Sequence, residues 1–180
     1  CPRCSRRKPE DVVVEVNRTI EEGVHAGNPE AKVIVWNWAW KEEWSEAAVA
    51  GLPRDNVRVM AVSEYRMPYE RGGVKGIEDD YSISIVGPGE SAKKIWCAAA
   101  AHGIGAAAKV QANCTWELCD FPYLPVMDLV AEHALNLRKE GVRDVMMAWS
   151  LGGCPSPNLR VFSELRDDDS DAKRMLDRIA

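Results

Sequence analysis

The alternation of helix and strand patterns constrains the fold of this chain more than any other feature. Residues 8–29 carry apolar side chains at helical spacing, begin near Pro9 and end at a Gly-Asn-Pro stop. Residues 31–36, AKVIVW, form a short β-branched run that is typical of a strand buried on both faces. The same plan recurs with helices at 41–53, 90–103 and 125–141 and strands at 57–64, 106–112 and 143–150.

The connections between these elements determine the fold class that we predict. Strands joined by crossover helices must lie parallel, so we expect an α/β fold with about four parallel βα units over residues 1–165. We expect a long polar loop at 65–80 and a short extra strand in YSISIV, residues 81–86. The acidic stretch 167–171 indicates a solvated linker, so residues 166–180 would form an acidic linker and a short terminal helix.

Composition argues against several classes of protein. The formal net charge is −5 and 46% of the 180 residues are hydrophobic, which is typical of a globular chain with one core. A mildly acidic chain argues against a nucleic-acid partner, because phosphate recognition needs a basic face. No run of about 18 apolar residues occurs, so we expect no membrane span. Because the chain begins at Cys1 rather than at Met, we expect it to be part of a larger protein.

Six cysteines at irregular spacing indicate buried or loop thiols rather than a disulfide framework. This pattern favours a reducing, cytoplasmic compartment, with Cys97 buried and with Cys114 and Cys119 in a loop. Cys1 and Cys4 form a Cys-x-x-Cys pair, which is half of a four-ligand zinc site, but no second pair follows. We therefore assign no metal and no cofactor, and a structural zinc at Cys1 and Cys4 stays as an alternative.

Polar and aromatic side chains gather at the C-terminal ends of the predicted strands, where parallel α/β folds bind their ligands. Glu64 and Glu117 follow two of these strands, and most glycosidases need two facing carboxylates, so both are candidate catalytic residues. Tryptophans can stack on a sugar ring, and amides can bind its hydroxyls. The candidate substrate-binding residues are Asn37, Trp38, Gln111, Asn113, Trp116 and Trp149. Of these, we expect Trp38, Asn113, Trp116 and Trp149 to converge with the two carboxylates.

Two groups of residues receive a structural interpretation. Trp36 lies inside the apolar run of the first strand, so we expect it in the core, whereas Trp38 lies past the run, at the rim. The three histidines, His25, His102 and His133, fall on predicted helices, and we interpret them as structural or surface residues.

Long segments of the chain resemble a known family. VQANCTWELCDFPYLPVMDLVAEHALNLRKEGV and MMAWSLGGCPSPN, together with VIVWNWAW, VSEY and YSISIVGPG, look like the C-terminal half of a bacterial (β/α)8-barrel glycoside hydrolase. The group resembled is that of the family 20-like β-hexosaminidase relatives. The resemblance implies strands five to eight of a (β/α)8 (TIM) barrel acting on a carbohydrate, with the N-terminal half missing. It also implies that the catalytic Asp-Glu pair would lie before Cys1. The chain matches the family's Trp-x-Glu element only loosely, at Trp116-Glu117.

Three interpretations of function stay open. The first is a carbohydrate-active hydrolase fragment that supplies the sugar-binding wall of a glycosidase barrel, in which binding roles rank above catalysis for Glu64 and Glu117. The second is a non-catalytic carbohydrate-binding module that uses the same tryptophan-rich wall. The third is a small α/β domain with a structural zinc at Cys1 and Cys4.

Overall fold

The structure is a computed structural model that describes residues 2, 4–80, 82–113, 125–148, 156–166 and 169–179. Its helices are α1 Pro9–Gly27, α2 Glu42–Gly51, α3 Glu90–Ala101, α4 Met127–Lys139, α5 Pro157–Ser163 and α6 Ala172–Asp177. Its strands are β1 Val33–Asn37, β2 Val57–Val62, β3 Pro68–Arg71, β4 Val74–Ile77, β5 Gly105–Lys109 and β6 Asp144–Met146.

Four of the strands form one parallel sheet in the order β1-β2-β5-β6. The register of β1 on β2 is parallel, with Val33 opposite Val57 and Asn37 opposite Ala61. A helix lies in each crossover, namely α2 between β1 and β2, α3 between β2 and β5, and α4 between β5 and β6. The prediction of an α/β fold with four parallel strands in chain order is therefore confirmed.

The segment expected to be a polar loop, residues 65–80, instead contains a hairpin. β3 and β4 pair antiparallel around Gly72 and Gly73, which have φ values of 56° and 80°. Two residues with positive φ are what a type I′ two-residue hairpin turn requires, and glycine adopts this conformation without strain. The loop prediction was wrong because this short signal lies within charged residues.

The extra strand expected in YSISIV is absent from the described part of that stretch, residues 82–86. The hydroxyls of Ser82 and Ser84 lie 2.8 Å apart, and the backbone N–H of Ile85 donates to the carbonyl of Ser82 over 3.2 Å. Serine side chains that bond locally offer the backbone an alternative to a strand ladder. This prediction was wrong for that reason.

The chain divides into two compact units, the first formed by Cys1–Ala61 and Lys93–Ala107. In this unit, Val33 and Val35 of β1 are buried, while Ile34 is 50% exposed. Trp36 lies on the Ile34 side of the strand, is only half-buried, and packs its ring 5.2 Å from that of Trp38. The expectation that Trp36 is a core residue was wrong, because β1 buries the face that carries Val33 and Val35 and leaves the opposite face partly exposed.

Helix α3 shows how helical period decides which side chains are buried. Ile95, Trp96 and Ala99 are buried, whereas Cys97 is exposed with a free thiol. Residues three and four apart share one face of a helix, so Cys97 lies outside the stripe that faces the core. The prediction of a buried Cys97 was therefore wrong, and Cys114 and Cys119 lie outside the described residues.

The second unit comprises Val62–Ala92 and Ala108–Ala180. Helix α4 packs against α5 and α6, and Leu137, Val161 and Met175 are almost fully buried. Asp169 is only 4% exposed and accepts hydrogen bonds from Arg178 at 2.6 and 2.7 Å. Part of the acidic stretch expected to be solvated therefore anchors the C-terminal segment. Among the described helices, none combines the length and apolar content needed to cross a membrane.

Candidate functional site

The second unit contains a group of buried polar side chains at the C-terminal ends of β2 and β5 and on helix α4. We call this group the polar cluster. Each of its members is at most 6% exposed. The members are Ser63, Glu64, Lys109, Gln111, Asn113 and His133.

Parallel pairing explains why these residues meet. The backbone N–H of Ser63 donates to the carbonyl of Lys109 over 3.0 Å, which continues the β2–β5 ladder past β2. The N–H of Asn113 donates to the carbonyl of Met147 over 2.9 Å, which ties the end of β5 to β6. Neighbouring parallel strands end at the same edge of a sheet, so their following residues are brought together.

Glu64 is the carboxylate of the cluster and is 1% exposed. Its Oε1 accepts a hydrogen bond from the backbone N–H of Gln111 over 3.3 Å. The same oxygen lies 3.7 Å from Nδ1 of His133. Both contacts fall on one oxygen and come from different elements, so they restrict the position of that oxygen.

Lys109 places a positive charge inside the cluster. Its side chain is fully buried, and its Nζ donates to the carbonyl of Val110 over 3.0 Å and to Oε1 of Gln111 over 3.4 Å. Burial, with a further contribution from Glu78, raises the pKa of Asp80, while the nearby Lys109 ammonium partly opposes that rise. Burying an ammonium group costs free energy unless it is paired and hydrogen-bonded. The position of the Lys109 side chain is therefore restricted by its hydrogen bonds.

Two polar atoms near this charge have no hydrogen-bond partner among the described residues. They are Nε2 of Gln111, whose side chain is almost fully buried, and Oδ1 of Asp80. A buried polar group without a partner costs about 1–3 kcal/mol. One is a donor and the other an acceptor, and a hydroxyl group can satisfy either kind.

His133 joins the cluster from helix α4. Its Nε2 lies 2.7 Å from Oγ of Ser63, within hydrogen-bond distance. Burial lowers the pKa of His133 to about 4, so the imidazole is neutral near pH 7. The loop that follows residue 86 packs against this pair. The N–H of Gly89 donates to the carbonyl of Ser63 over 2.8 Å. Nδ2 of Asn136 donates to the carbonyl of Gly87 over 3.2 Å.

Gly87 is required by this packing, and its replacement is a test of it. A Cβ at residue 87 would lie 2.7 Å from Oγ of Ser63 and 2.8 Å from Nε2 of His133, both buried. We expect Gly87→Ala to destabilise the fold by about 1–3 kcal/mol through overpacking, measured by urea unfolding. Gly23→Ala is the control, because nothing lies within 4 Å of its added Cβ in α1, and it should stabilise by up to about 1 kcal/mol. Equal effects of the two changes would contradict the packing.

The structure brings together only some of the predicted site residues. Glu64 and Gln111 are in contact, since the backbone N–H of Gln111 donates to Oε1 of Glu64, and Asn113 is buried two residues after Gln111. Asn37 and Trp38 belong to the other unit, where Trp38 is 43% exposed. The remaining candidates lie outside the described residues, so the expected convergence of the whole set stays a prediction. These candidates are Trp116, Glu117 and Trp149.

The candidate site residues chosen from the sequence did not include three members of the cluster, namely Ser63, Lys109 and His133. His133 was interpreted as structural or surface, but a signal was present, since it lies on the buried face of α4 with Val130, Ala134 and Leu137. Lys109 carried a similar signal as the one charged residue within the apolar run AAAKV.

The described residues offer few other features of this kind. A cleft of about 290 Å³ beside α4 and β6 has mostly apolar walls and includes Arg138 and Arg143, but no residue of the polar cluster. In the described part of the chain, no three metal-binding side chains come together. The zinc alternative cannot be assigned there, because Cys1 lies outside that part.

Comparison with protein-family models, curated proteins and solved structures finds no match to this chain.

Proposed function

We propose that this chain is part of a carbohydrate-active hydrolase and that the polar cluster belongs to its sugar-binding wall. The observation that carries the proposal is the contact of a buried carboxylate, Glu64, with the backbone N–H of Gln111, beside the buried amide of Asn113, at the ends of neighbouring parallel strands. Parallel α/β folds bind ligands at this edge. A core that only had to pack would not need these polar groups, because each one costs free energy when it is buried.

The chemistry of the cluster suits an uncharged ligand rich in hydroxyl groups. Carboxylate oxygens accept hydrogen bonds from hydroxyls, and side-chain amides both donate and accept. Nε2 of Gln111 and Oδ1 of Asp80 add one donor and one acceptor that the described residues leave without a partner. The resemblance to family 20-like glycoside hydrolases supports the same class of substrate. In this proposal Glu64 binds a hydroxyl, and a catalytic acid lies elsewhere in the parent protein.

We further propose that the four βα units are part of a (β/α)8 barrel whose other half is missing. Two features of the first unit support this. β1 stands at the end of the strand order, and α1 has no buried residue. Val16, Ile20 and Val24 form a stripe on α1 and are 51%, 49% and 39% exposed. Further βα units of a barrel would cover such a stripe and pair with such an edge.

A carbohydrate-binding module without catalysis is the second candidate. The observation that favours it is the tryptophan pair of the first unit, since Trp38 is 43% exposed and its ring centroid lies 5.2 Å from that of Trp36. An exposed aromatic surface of this kind can stack on a sugar ring. This candidate differs from the first in placing the binding energy on Trp38 rather than on Glu64.

Glycan binding by the 180-residue chain tests both candidates. We expect a panel of defined mono- and oligosaccharides, including N-acetylglucosamine oligomers, to contain a ligand detectable by saturation-transfer NMR and titration calorimetry. Glu64→Gln should weaken that ligand by about 1.5–3 kcal/mol, the loss typical of a charged hydrogen-bond partner. The matched control is Glu70→Gln on the hairpin, whose side chain is 61% exposed and pairs with Lys75, and it should leave binding unchanged.

The outcomes separate the candidates once circular dichroism shows that each variant is folded. Weaker binding in Glu64→Gln with unchanged binding in Trp38→Ala supports the hydrolase wall. The reverse pattern supports the binding module. A panel in which no sugar binds the wild-type chain contradicts both.

A further inference from the structure

The imidazole ring of His133 lies between Ser63 and Glu64. The proposed function uses Glu64 but neither Ser63 nor His133. Oγ of Ser63 lies 2.7 Å from Nε2 of His133, and Nδ1 of the same ring lies 3.7 Å from Oε1 of Glu64. We propose that His133 is a positioning residue, held by Ser63 in one tautomer so that its Nδ1–H faces the Glu64 carboxylate. The benefit of this orientation for ligand binding rests on the proposed function, whereas the assignment of the tautomer does not.

The geometry selects one of three protonation states of the ring. A separation of 2.7 Å between Oγ and Nε2 requires one hydrogen between these atoms. If Nε2 carried that hydrogen, the lone pair of Nδ1 would face a carboxylate oxygen, which is repulsive. If Ser63 donates it, Nδ1 carries the ring proton and faces Oε1 of Glu64, which is attractive. A doubly protonated ring would place a charge in a site that is 6% exposed, against the cost of burial.

The surrounding backbone holds the ring in place. Asn136, one turn further along α4, donates to the carbonyl of Gly87, and the N–H of Gly89 donates to the carbonyl of Ser63. The Cα of Gly87 lies so close that an added Cβ would be 2.8 Å from Nε2 of His133. Helix α4 and the loop at residues 87–89 therefore fix the imidazole on two sides.

The consequence is a carboxylate held in one orientation. Oε1 of Glu64 receives the backbone N–H of Gln111 at 3.3 Å, and the imidazole approaches the same oxygen at 3.7 Å. The second distance is longer than a direct hydrogen bond, so the imidazole acts on the carboxylate as an oriented dipole. A carboxylate oriented in advance loses less entropy when it binds a hydroxyl.

A nucleophilic serine is the other use of a serine, a histidine and a carboxylate connected in this order. The structure argues against it here. The backbone of Gly87 occupies the space beside the Ser63 hydroxyl, so close that an added Cβ would lie 2.7 Å from Oγ. An acyl group would have to reach within bonding distance of Oγ, which this packing prevents.

Imidazole ¹⁵N NMR of the full chain at pH 7 tests the proposal. The chain has three histidines, so Ser63→Ala, which alters only the His133 partner, assigns the His133 signals. We expect Nδ1 of His133 to be protonated and Nε2 to be unprotonated, and we expect the Nε2 signal to move in Ser63→Ala. A protonated Nε2, or a signal averaged between the two tautomers, overturns the proposal.

A second measurement keeps the positioning role separate from catalysis. A fluorophosphonate probe with mass spectrometry should leave Ser63 unlabelled in the folded chain. Labelling of Ser63 would overturn the positioning role. If the tautomer is found as expected and no sugar in the glycan panel binds, the proposed function fails while the role of His133 stands. If a sugar binds and the tautomer differs, only the role of His133 fails.

Discussion

Replacing Trp96 with alanine should lower the free energy of unfolding by about 3–5 kcal/mol. Trp96 lies on α3 and is 4% exposed, and its Nε1–H donates to the carbonyl of Ala107 over 2.9 Å. Truncation would remove a large buried side chain that links α3 to β5, leave a cavity, and take the indole donor from a backbone carbonyl. Urea unfolding followed by circular dichroism measures the change.

Trp38→Ala is the matched control for this prediction. Trp38 is the same residue type but is 43% exposed at the end of β1. Its truncation removes less buried area than that of Trp96 and takes no backbone hydrogen bond of the kind that Trp96 makes, so we expect a smaller loss of stability. A loss of similar size in both variants would mean that burial does not decide the contribution of these tryptophans, which would contradict the packing described for α3.

Replacing Asp169 with asparagine should cost about 3 kcal/mol of stability. The Asp169 side chain is 2% exposed and accepts from both terminal nitrogens of Arg178 and from the backbone N–H of Arg166. Removing one partner of a buried ion pair costs about 3–5 kcal/mol, and the lower end applies because the Arg178 side chain is 23% exposed. Asp177→Asn is the control, since its pair with Lys173 is exposed and should contribute under about 1 kcal/mol.

The same ion pair gives a pH dependence with a definite sign. Hydrogen bonding from Arg178 lowers the pKa of Asp169 to about 2, below its usual value of about 3.9. A carboxylate with a depressed pKa stabilises the fold above the unfolded pKa and loses this contribution as pH falls through the folded pKa. The stability difference between wild type and Asp169→Asn should therefore be full at pH 6 and shrink towards pH 2. A difference that is constant over this range would contradict the assignment.

The helices and parallel strands could be predicted because their causes are local. Apolar side chains at helical spacing predicted where α1, α2, α3 and α4 lie in the chain, and β-branched runs predicted β1 and β2. The hairpin β3–β4 was missed because its signal is only two glycines within charged residues. The exposure of Cys97 was missed because membership of an apolar segment does not say which face of the helix a residue takes.

The candidate site could be predicted in part, for a physical reason. Glu64, Gln111 and Asn113 were identified because the ends of adjacent parallel strands must meet, whichever residues stand there. His133 was not, because it lies 70 residues from Ser63 and on a helix. Nothing in a helical period says which strand end the helix will cover.

The sequence by itself determined the alternating α/β plan, the parallel order of the four strands and the placing of polar groups at their ends. Each of these follows from side-chain period and chain connectivity, which act over a few residues or through the length of a crossover. Only the tertiary structure decided that Ser63, His133 and Glu64 stand in line, that Lys109 is fully buried, and that Asp169 is paired with Arg178 rather than solvated. Those outcomes depend on which elements pack together, because burial and the distances between side chains set their free energies.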